Sequence, residues 1–411
     1  MRSPVVYLVS YGLSVLGNSV AAVVLPLVVL QTTGSALDAG IVAAATAVPA
    51  VLAGLFMGGV IDRVHRRTAS VVTDVVSGLA IAALPLIDLL TGLSVGWFVL
   101  LGVVGSFGDV PGLTARETLL PGLARHAGLT VDRLLAAREG VGAVVLLVGP
   151  ALAAGLVTFL DGTGALWVTA GLALAAALTT LLLPREVGEL DAAPVGRSPR
   201  AALVHLREGW TWLFRSSPVL LGVTLLNLLL VTVLVAYQGL LLPVHFTLEG
   251  QEGRLGLVLS ALAAGMLVGT TAYAVVGARL SRRTWFVVAM LGAAVGVGMV
   301  GALPPVVVVL LGAAVLGLFS GIGSTVLGVV MVERIPDGLR GRVMGTQNAI
   351  MTAAPSLGIL GAAVLVDQVS PQAAGLAVAG LWCAGVLVAL AAPALRDLDP
   401  HALGPRAGGG V

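Results

Sequence analysis

Long apolar runs follow one another along nearly the whole of this 411-residue chain, and nothing constrains its fold more. An α-helix needs about 20 apolar residues to cross the ~30 Å hydrocarbon core of a bilayer. Twelve such runs are legible: 4–30, 39–61, 69–90, 95–118, 138–160, 164–184, 218–244, 254–278, 284–303, 305–332, 343–366 and 371–393. The ninth and tenth are parted only by Pro304-Pro305, which must form a tight turn. Pro26, Pro49 and Pro85 lie inside runs, where neighbouring helices can satisfy the carbonyls they free. Only 10% of the residues are charged, and the mean hydropathy is +1.06. A soluble domain carries roughly 25% charge, so this chain cannot clothe a water-facing surface and must take the bilayer as its solvent. The expected fold is an all-α polytopic membrane protein. It has twelve transmembrane helices in two pseudo-symmetric six-helix bundles. The first run follows a short charged start, as in a signal peptide. It is too long for one and no clean small-residue cleavage site follows, so it is read as the first transmembrane helix.

All 22 basic residues are arginine. With the N-terminus inside and the chain alternating, 21 of the 22 arginines fall at the cytoplasmic face, leaving Arg254 outside. The bias of arginine towards cytoplasmic loops therefore sets both termini in the cytoplasm, in the cytoplasmic membrane. The longest connection divides the chain into residues 1–184, a linker 185–217, residues 218–393 and a cytoplasmic tail 394–411. In the linker, Leu203, Leu206, Trp210 and Leu213 recur at helical spacing. They suggest a helix lying in the inner membrane interface, with Trp210 and Trp212 at headgroup level. A solvated helix is the alternative.

A shift of 216 residues lays Gly34 on Gly250 and Gly40 on Gly256. It also lays Arg63, Arg66 and Arg67 on Arg279, Arg282 and Arg283, while Asp62 falls on Ala278. Two parallel six-helix repeats would produce this echo.

The stretch "GGVIDRVHRR" after the second run has the form G-x-x-x-D-R-x-x-R-R, in Gly58, Asp62, Arg63, Arg66 and Arg67. It resembles the signature loop of the major facilitator superfamily, with His65 where that family usually has glycine. The resemblance implies a cytoplasmic charge network that latches the two halves in one state. Further on, "AR…LLP" (Ala115, Arg116, Leu119 to Pro121) and "GP…G" (Gly149, Pro150, Gly155) resemble one drug-exporter branch of that family. That branch includes macrolide-efflux, Tap-type multidrug and enterobactin exporters. The second pattern resembles its antiporter motif without the full glycine set. The resemblance implies a bendable fifth helix and proton-coupled export.

Acids inside spans cost ~2.5–3.5 kcal/mol each on insertion scales and so need a partner or a watery cavity. Asp109 is the first candidate for a coupling proton, by its depth, followed by Asp74 and Glu139. Arg116 lies seven residues after Asp109, hence on the same helical face. A cluster of Asp109, Arg116 and Glu139 beside Arg66 is expected, and a static salt-bridge network is its other reading. Candidate cavity residues are Asn18 (with Ser19) in the first span and Asn227, Tyr237 and Gln238 in the seventh. Ser324 (with Ser320 and Thr325) in the tenth and Gln347 and Asn348 in the eleventh are weaker candidates. A largely aliphatic lining suits amphipathic, variable substrates better than sugars.

No ATP-binding loop is present, the five histidines make no ligand-spaced pair, and the single cysteine, Cys383, excludes an intrachain disulfide. No metal, cofactor or nucleic-acid partner is expected. The expected partners are a small-molecule substrate, protons and the lipid bilayer, with the chain acting as a monomer. Paired Asp-rich motifs for prenyl transfer and a His/Asp pair for acyl transfer are both missing, which argues against a membrane enzyme. The alternatives are a dedicated exporter of one natural product or siderophore, an importer, and a non-transporting sensor.

Overall fold

A computed structural model describes residues 2–61, 64–188, 211, 218–335, 340–396 and 398. Helix α1 spans Arg2–Thr33, α2 Ala36–Ile61, α3 Arg66–Thr91 and α4 Val95–Ala127. The next helical stretch, Val131–Thr180, is 50 residues long. At 1.5 Å per residue a straight helix of that length would be ~75 Å long, over twice the hydrocarbon core. It is broken at Asp161, whose φ is 62° and ψ −179°. The stretch is therefore two spans, α5 (131–160) and α6 (162–180). Asp161 caps the second: its Oδ1 accepts from the Gly164 amide at 2.8 Å and the Thr163 hydroxyl at 2.9 Å. The backbone donor first, and the hydroxyl with it, hold this exposed carboxyl below the ordinary aspartate range.

In the second half α7 runs over Pro218–Leu248, passing through a π-helical turn at Tyr237–Leu241. Helices α8 (Glu252–Val276), α9 (Arg282–Gly301), α10 (Val306–Arg334), α11 (Arg340–Gln368) and α12 (Pro371–Ala391) follow. The connection from α9 to α10 is as tight as expected: Leu303 takes φ 49° and Pro305 stands at the N-cap of α10. Among the described residues these twelve helices return the chain to the face where it began, called here the near face. The interfacial-helix positions Leu203, Leu206, Trp210, Trp212 and Leu213 lie outside the described residues, as does most of the tail.

The repeat read from the sequence is visible in the backbone. Gly34 and Gly250 both take the left-handed conformation, with φ of 70° and 64°, in the links α1–α2 and α7–α8. A side chain there would be strained. Six residues on, Gly40 and Gly256 do equivalent work between the halves. A Cβ on Gly40 would stand 2.5 Å from Ala363 Cβ on α11. One on Gly256 would stand 2.7 Å from Ala154 Cβ on α5. Beside it, Ser260 of α8 donates to the Leu147 carbonyl of α5 at 3.0 Å. These contacts join α2 to α11 and α8 to α5, mostly towards the far face.

The core follows the same division. One large apolar cluster runs from Val20 to Leu30 on α1 into the second half, through Leu230, Tyr237 and Phe246 to Trp382. A separate cluster of Tyr7, Leu119, Leu123, Leu134 and Val187 fills the near end of the first half.

The arginine echo also has a structural meaning. Arg67 donates through Nε to the Thr180 carbonyl at 3.4 Å and through Nη2 to the Leu181 carbonyl, at the end of α6. Its repeat mate Arg283 donates to the Leu395 carbonyl at 2.5 Å and the Leu390 carbonyl at 3.4 Å, at the end of α12. Each half uses one arginine to satisfy orphan carbonyls at the end of its sixth helix, where the helix dipole also favours a cation.

Candidate functional site: a polar seam in the first half

Helices α3 and α4 run antiparallel and meet closely. A Cβ on Gly108 would collide with the Ser77 hydroxyl and the Thr73 carbonyl, and one on Gly112 would lie 3.1 Å from Thr73 Oγ1. The missing side chains let α4 lie almost backbone to backbone on α3, as small residues do in lipid. Two carboxylates occupy this seam. Asp74 of α3 pairs with Arg116 of α4, and both are almost wholly buried, at 4% and 1% exposure. Ser14 of α1 adds a hydrogen bond from its hydroxyl to Asp74 Oδ1 at 3.1 Å. Asp109 of α4 is half-buried and accepts from the Ser77 hydroxyl at 2.6 Å. No cation among the described residues pairs with it.

The two acids therefore differ in kind. Asp74 belongs to a closed ion pair whose breaking would leave a buried guanidinium unmatched. Asp109 is held by a neutral hydroxyl alone. Protonating it separates no ion pair.

The expected cluster of Asp109, Arg116 and Glu139 does not form. Arg116 turns to Asp74 instead, because α3 brings that carboxylate to the same seam. Glu139 sits on the exposed side of α5, with its side chain 66% exposed, and its carboxylate is 3.8 Å from the neighbouring Arg138. Arg138 itself pairs with Glu117 of α4 at 2.9 Å and lies 5.1 Å over the Tyr11 ring. Tyr7 donates to the Arg116 carbonyl at 3.2 Å. These contacts hold the near end of α1 against α4 and α5.

In the loop after α2, Asp62 and Arg63 lie outside the described residues, and so do the surroundings of Gly58. Arg66 opens α3, and Arg67 caps α6 as described. His65, in the place of the family's glycine, has Nε2 3.0 Å from the Arg185 carbonyl. It ties the loop to the short turn Arg185–Gly188.

In α5 the glycine–proline pattern has divided duties. Gly149 is pressed against Ser19 of α1, where a Cβ would collide with the hydroxyl. The Pro150 carbonyl would be 3.2 Å from a Cβ on Gly256 of α8, in the other half. A Cβ on Gly155 would meet nothing within 4 Å, so no close contact requires a glycine there.

The cavity candidates separate in the same way. Asn18, Asn227 and Gln238 are half-buried. Tyr237 is not a lining residue. It is fully buried, and its hydroxyl donates to the Gly375 carbonyl at 2.8 Å, tying α7 to α12. Ser324 turns back on its own helix and donates to Gly321 at 3.1 Å, as hydroxyls in spans often do. Ser14 and Ser77, which hydrogen-bond Asp74 and Asp109, belong to no motif in the sequence. Their signal is spacing: Ser77 follows Asp74 by one helical turn and so shares its face.

The sequence matches the model of the Major Facilitator Superfamily over residues 7–252 and again over 235–410. The chain belongs to that superfamily, and the twelve long helices among its described residues are those of a multi-pass membrane protein. It is 33% identical over 388 residues to the multidrug efflux pump Tap of Mycolicibacterium fortuitum, covering 93% of this chain and 94% of that one. It is 34% identical over 392 residues to the Tap pump of Mycobacterium tuberculosis H37Rv, covering 93% and 91%. The enterobactin exporter EntS of Escherichia coli UTI89 is 26% identical over 400 residues, with coverage of 93% and 90%. Among solved structures, the nucleoside transporter NupG superposes with a TM-score of 0.75 at 13% identity, covering 95% of this chain and 99% of that one. A POT family transporter gives 0.72 at 13% identity, with coverage of 95% and 96%. At that identity the structural likeness speaks for the fold alone.

Proposed function

We propose that this chain exports amphipathic drugs or natural products across the cytoplasmic membrane, in exchange for protons, by alternating access. The observation that carries the reading is the 33–34% identity to Tap multidrug efflux pumps over 93% of the chain. The likeness to EntS supports a second reading, a dedicated exporter of one siderophore or natural product.

The near face is cytoplasmic in this proposal, supported by the arginine bias. The two halves are residues 1–184 and 218–393, joined by a cytoplasmic linker, and the protein works as a monomer. Asp109 takes the coupling proton, because its partner is a neutral hydroxyl. Asp74 has a structural role within its ion pair, and Glu139 is too exposed to couple anything. The loop containing Asp62 and Arg66 latches the halves at the cytoplasmic face. Asn18, Asn227 and Gln238 contribute polar contacts to the passage.

Substrate and proton need not touch each other. Each need only bind the two states with different affinity, and the coupling follows. Substrate binds better once Asp109 has released its proton, and the inward proton drives the return.

An accumulation screen in cells tests this. Dyes, macrolides, tetracyclines and aminoglycosides are compared with and without an uncoupler. Lowered accumulation of several classes, abolished by the uncoupler, is expected. Export of one class only would favour the dedicated exporter. Unchanged accumulation of all of them, in cells making the protein, would overturn the reading.

A further inference from the structure

The seam between α3 and α4 holds one more functional feature than the acid itself. The Ser77 hydroxyl is 2.6 Å from Asp109 Oδ1. It reaches that point because α4 carries Gly108, which lies against Ser77 and Thr73 with no room for a Cβ. A hydroxyl that close donates to a carboxylate, and such a bond favours the ionised form. We propose that Ser77 is a positioning residue for proton coupling: it fixes the Asp109 carboxylate and sets the pH range in which that group exchanges its proton, with Gly108 as the close contact that lets it do so. The inference rests on Asp109 being the proton carrier.

Other ionisable groups stand on the elements packed against α4. Asp74 on α3 lies on the same seam but is held by Arg116. Tyr7 and Tyr11 on α1 lie near Arg116 and Arg138 respectively. On α5, Arg138 pairs with Glu117 of α4, and Glu139 is exposed. The turn Arg185–Gly188 contributes Arg185 and Glu186, and Glu186 is 3.7 Å from His126 of α4. On α2, Asp38 is in the first turn, towards the far face. The hydroxyl of Ser77 is the hydrogen-bond donor that the structure places on Asp109.

A serine is also small and could serve packing alone. The test therefore needs a readout that packing does not move. Purified protein is reconstituted into proteoliposomes with an imposed pH gradient, and substrate uptake is measured from about pH 5 to pH 9. Ethidium serves as the probe, or whichever dye the accumulation screen finds transported. Four variants are compared with wild type: Ser77→Ala, Ser77→Thr, Gly108→Ala and Asp109→Asn.

Removing one charge-assisted hydrogen bond should move the pH of half-maximal gradient-driven transport by roughly one unit towards alkaline, since the deprotonated form loses its support. That shift is expected for Ser77→Ala, with downhill exchange kept within about twofold. Ser77→Thr, which retains the hydroxyl, should restore the wild-type profile. Gly108→Ala should shift the profile in the same sense as Ser77→Ala. If Asp109→Asn abolishes gradient-driven transport but Ser77→Ala keeps the wild-type profile, the positioning role is overturned and the proton carrier stands. If Asp109→Asn still accumulates substrate against the gradient, the carrier assignment itself fails.

Discussion

The two halves share a scaffold and part company at one seam. Arg67 and Arg283 cap the sixth helix of each half in the same manner. Gly34 and Gly250 make the same turn, and Gly40 and Gly256 make matching contacts across the molecule. Between the third and fourth helices the likeness stops. Shifted by 216, Asp74 falls on Met290 and Ser77 on Ala293, both buried. Ser14 falls on Leu230, also buried. Where α4 brings Asp109 and Arg116 to α3, α10 lays Leu316 and Phe319 against Gly296 and Gly292 of α9. Asp109 itself falls on Thr325, which donates to the Gly321 carbonyl of its own helix at 2.7 Å, and Arg116 falls on Val332, so the second half carries no charge at these positions. A close contact between the third and fourth helices of a half can thus be built without charges at these positions. Placing ions in a membrane is costly, and the first half meets that cost for Asp74 by pairing it with Arg116 while Asp109 has only the Ser77 hydroxyl.

The comparison is broken most forcefully at the buried pair. Asp74→Ala leaves Arg116 without its counter-ion and should destabilise the protein by about 3–5 kcal/mol. Met290→Ala in the second half removes apolar contact and should cost about 2–5 kcal/mol, with a cavity as the cause. The discriminating measurement is the second substitution. Adding Arg116→Met should recover much of the loss in Asp74→Ala and none of that in Met290→Ala, read as thermal unfolding in detergent. An Asp74→Ala protein as stable as wild type would show that the pair does not hold the seam.

The helix caps offer a sharper comparison at smaller amplitude. Arg67→Ala and Arg283→Ala should each cost about 1–2 kcal/mol, since each deletes a charged donor to terminal carbonyls. The two losses should agree within about 0.5 kcal/mol. A large difference in unfolding temperature between them would mean that the structural echo is not an energetic one.

Smallest of all is the effect expected at Gly155. A methyl group there meets nothing within 4 Å, and alanine is the better helix former by roughly 1 kcal/mol. Gly155→Ala should leave stability unchanged or slightly raised. Gly149→Ala, which pushes on Ser19, should lower it. Equal behaviour of the two variants in the same unfolding assay would refute the division of labour within the glycine–proline pattern.

Most of the architecture is legible in the sequence, because lipid leaves few options. Helix length, the Pro304-Pro305 break and the six-plus-six division follow from run lengths and punctuation. The repeat can be read at glycines and arginines because turns and helix ends have local chemical requirements. Side-chain partners are another matter. Spacing along one helix pairs Arg116 with Asp109, but its carboxylate is Asp74, supplied by a different helix. Tyr237 looks like a passage residue in a one-dimensional reading, yet its hydroxyl serves Gly375, 138 positions away. Periodicity tells which residues share a face. It does not tell what that face meets, which depends on how the helices rotate and approach. Ser77 escapes notice for the same reason, since its importance comes from Gly108 on another helix.

The central claim is that the unmatched acid of the first half carries the coupling proton. Its most direct test is substrate transport in proteoliposomes by Asp109→Asn, with and without an imposed pH gradient. The account predicts that uphill accumulation is lost while downhill exchange persists at a measurable rate, the amide standing in for a permanently protonated acid. Accumulation at the wild-type level, driven by the same gradient, would contradict it.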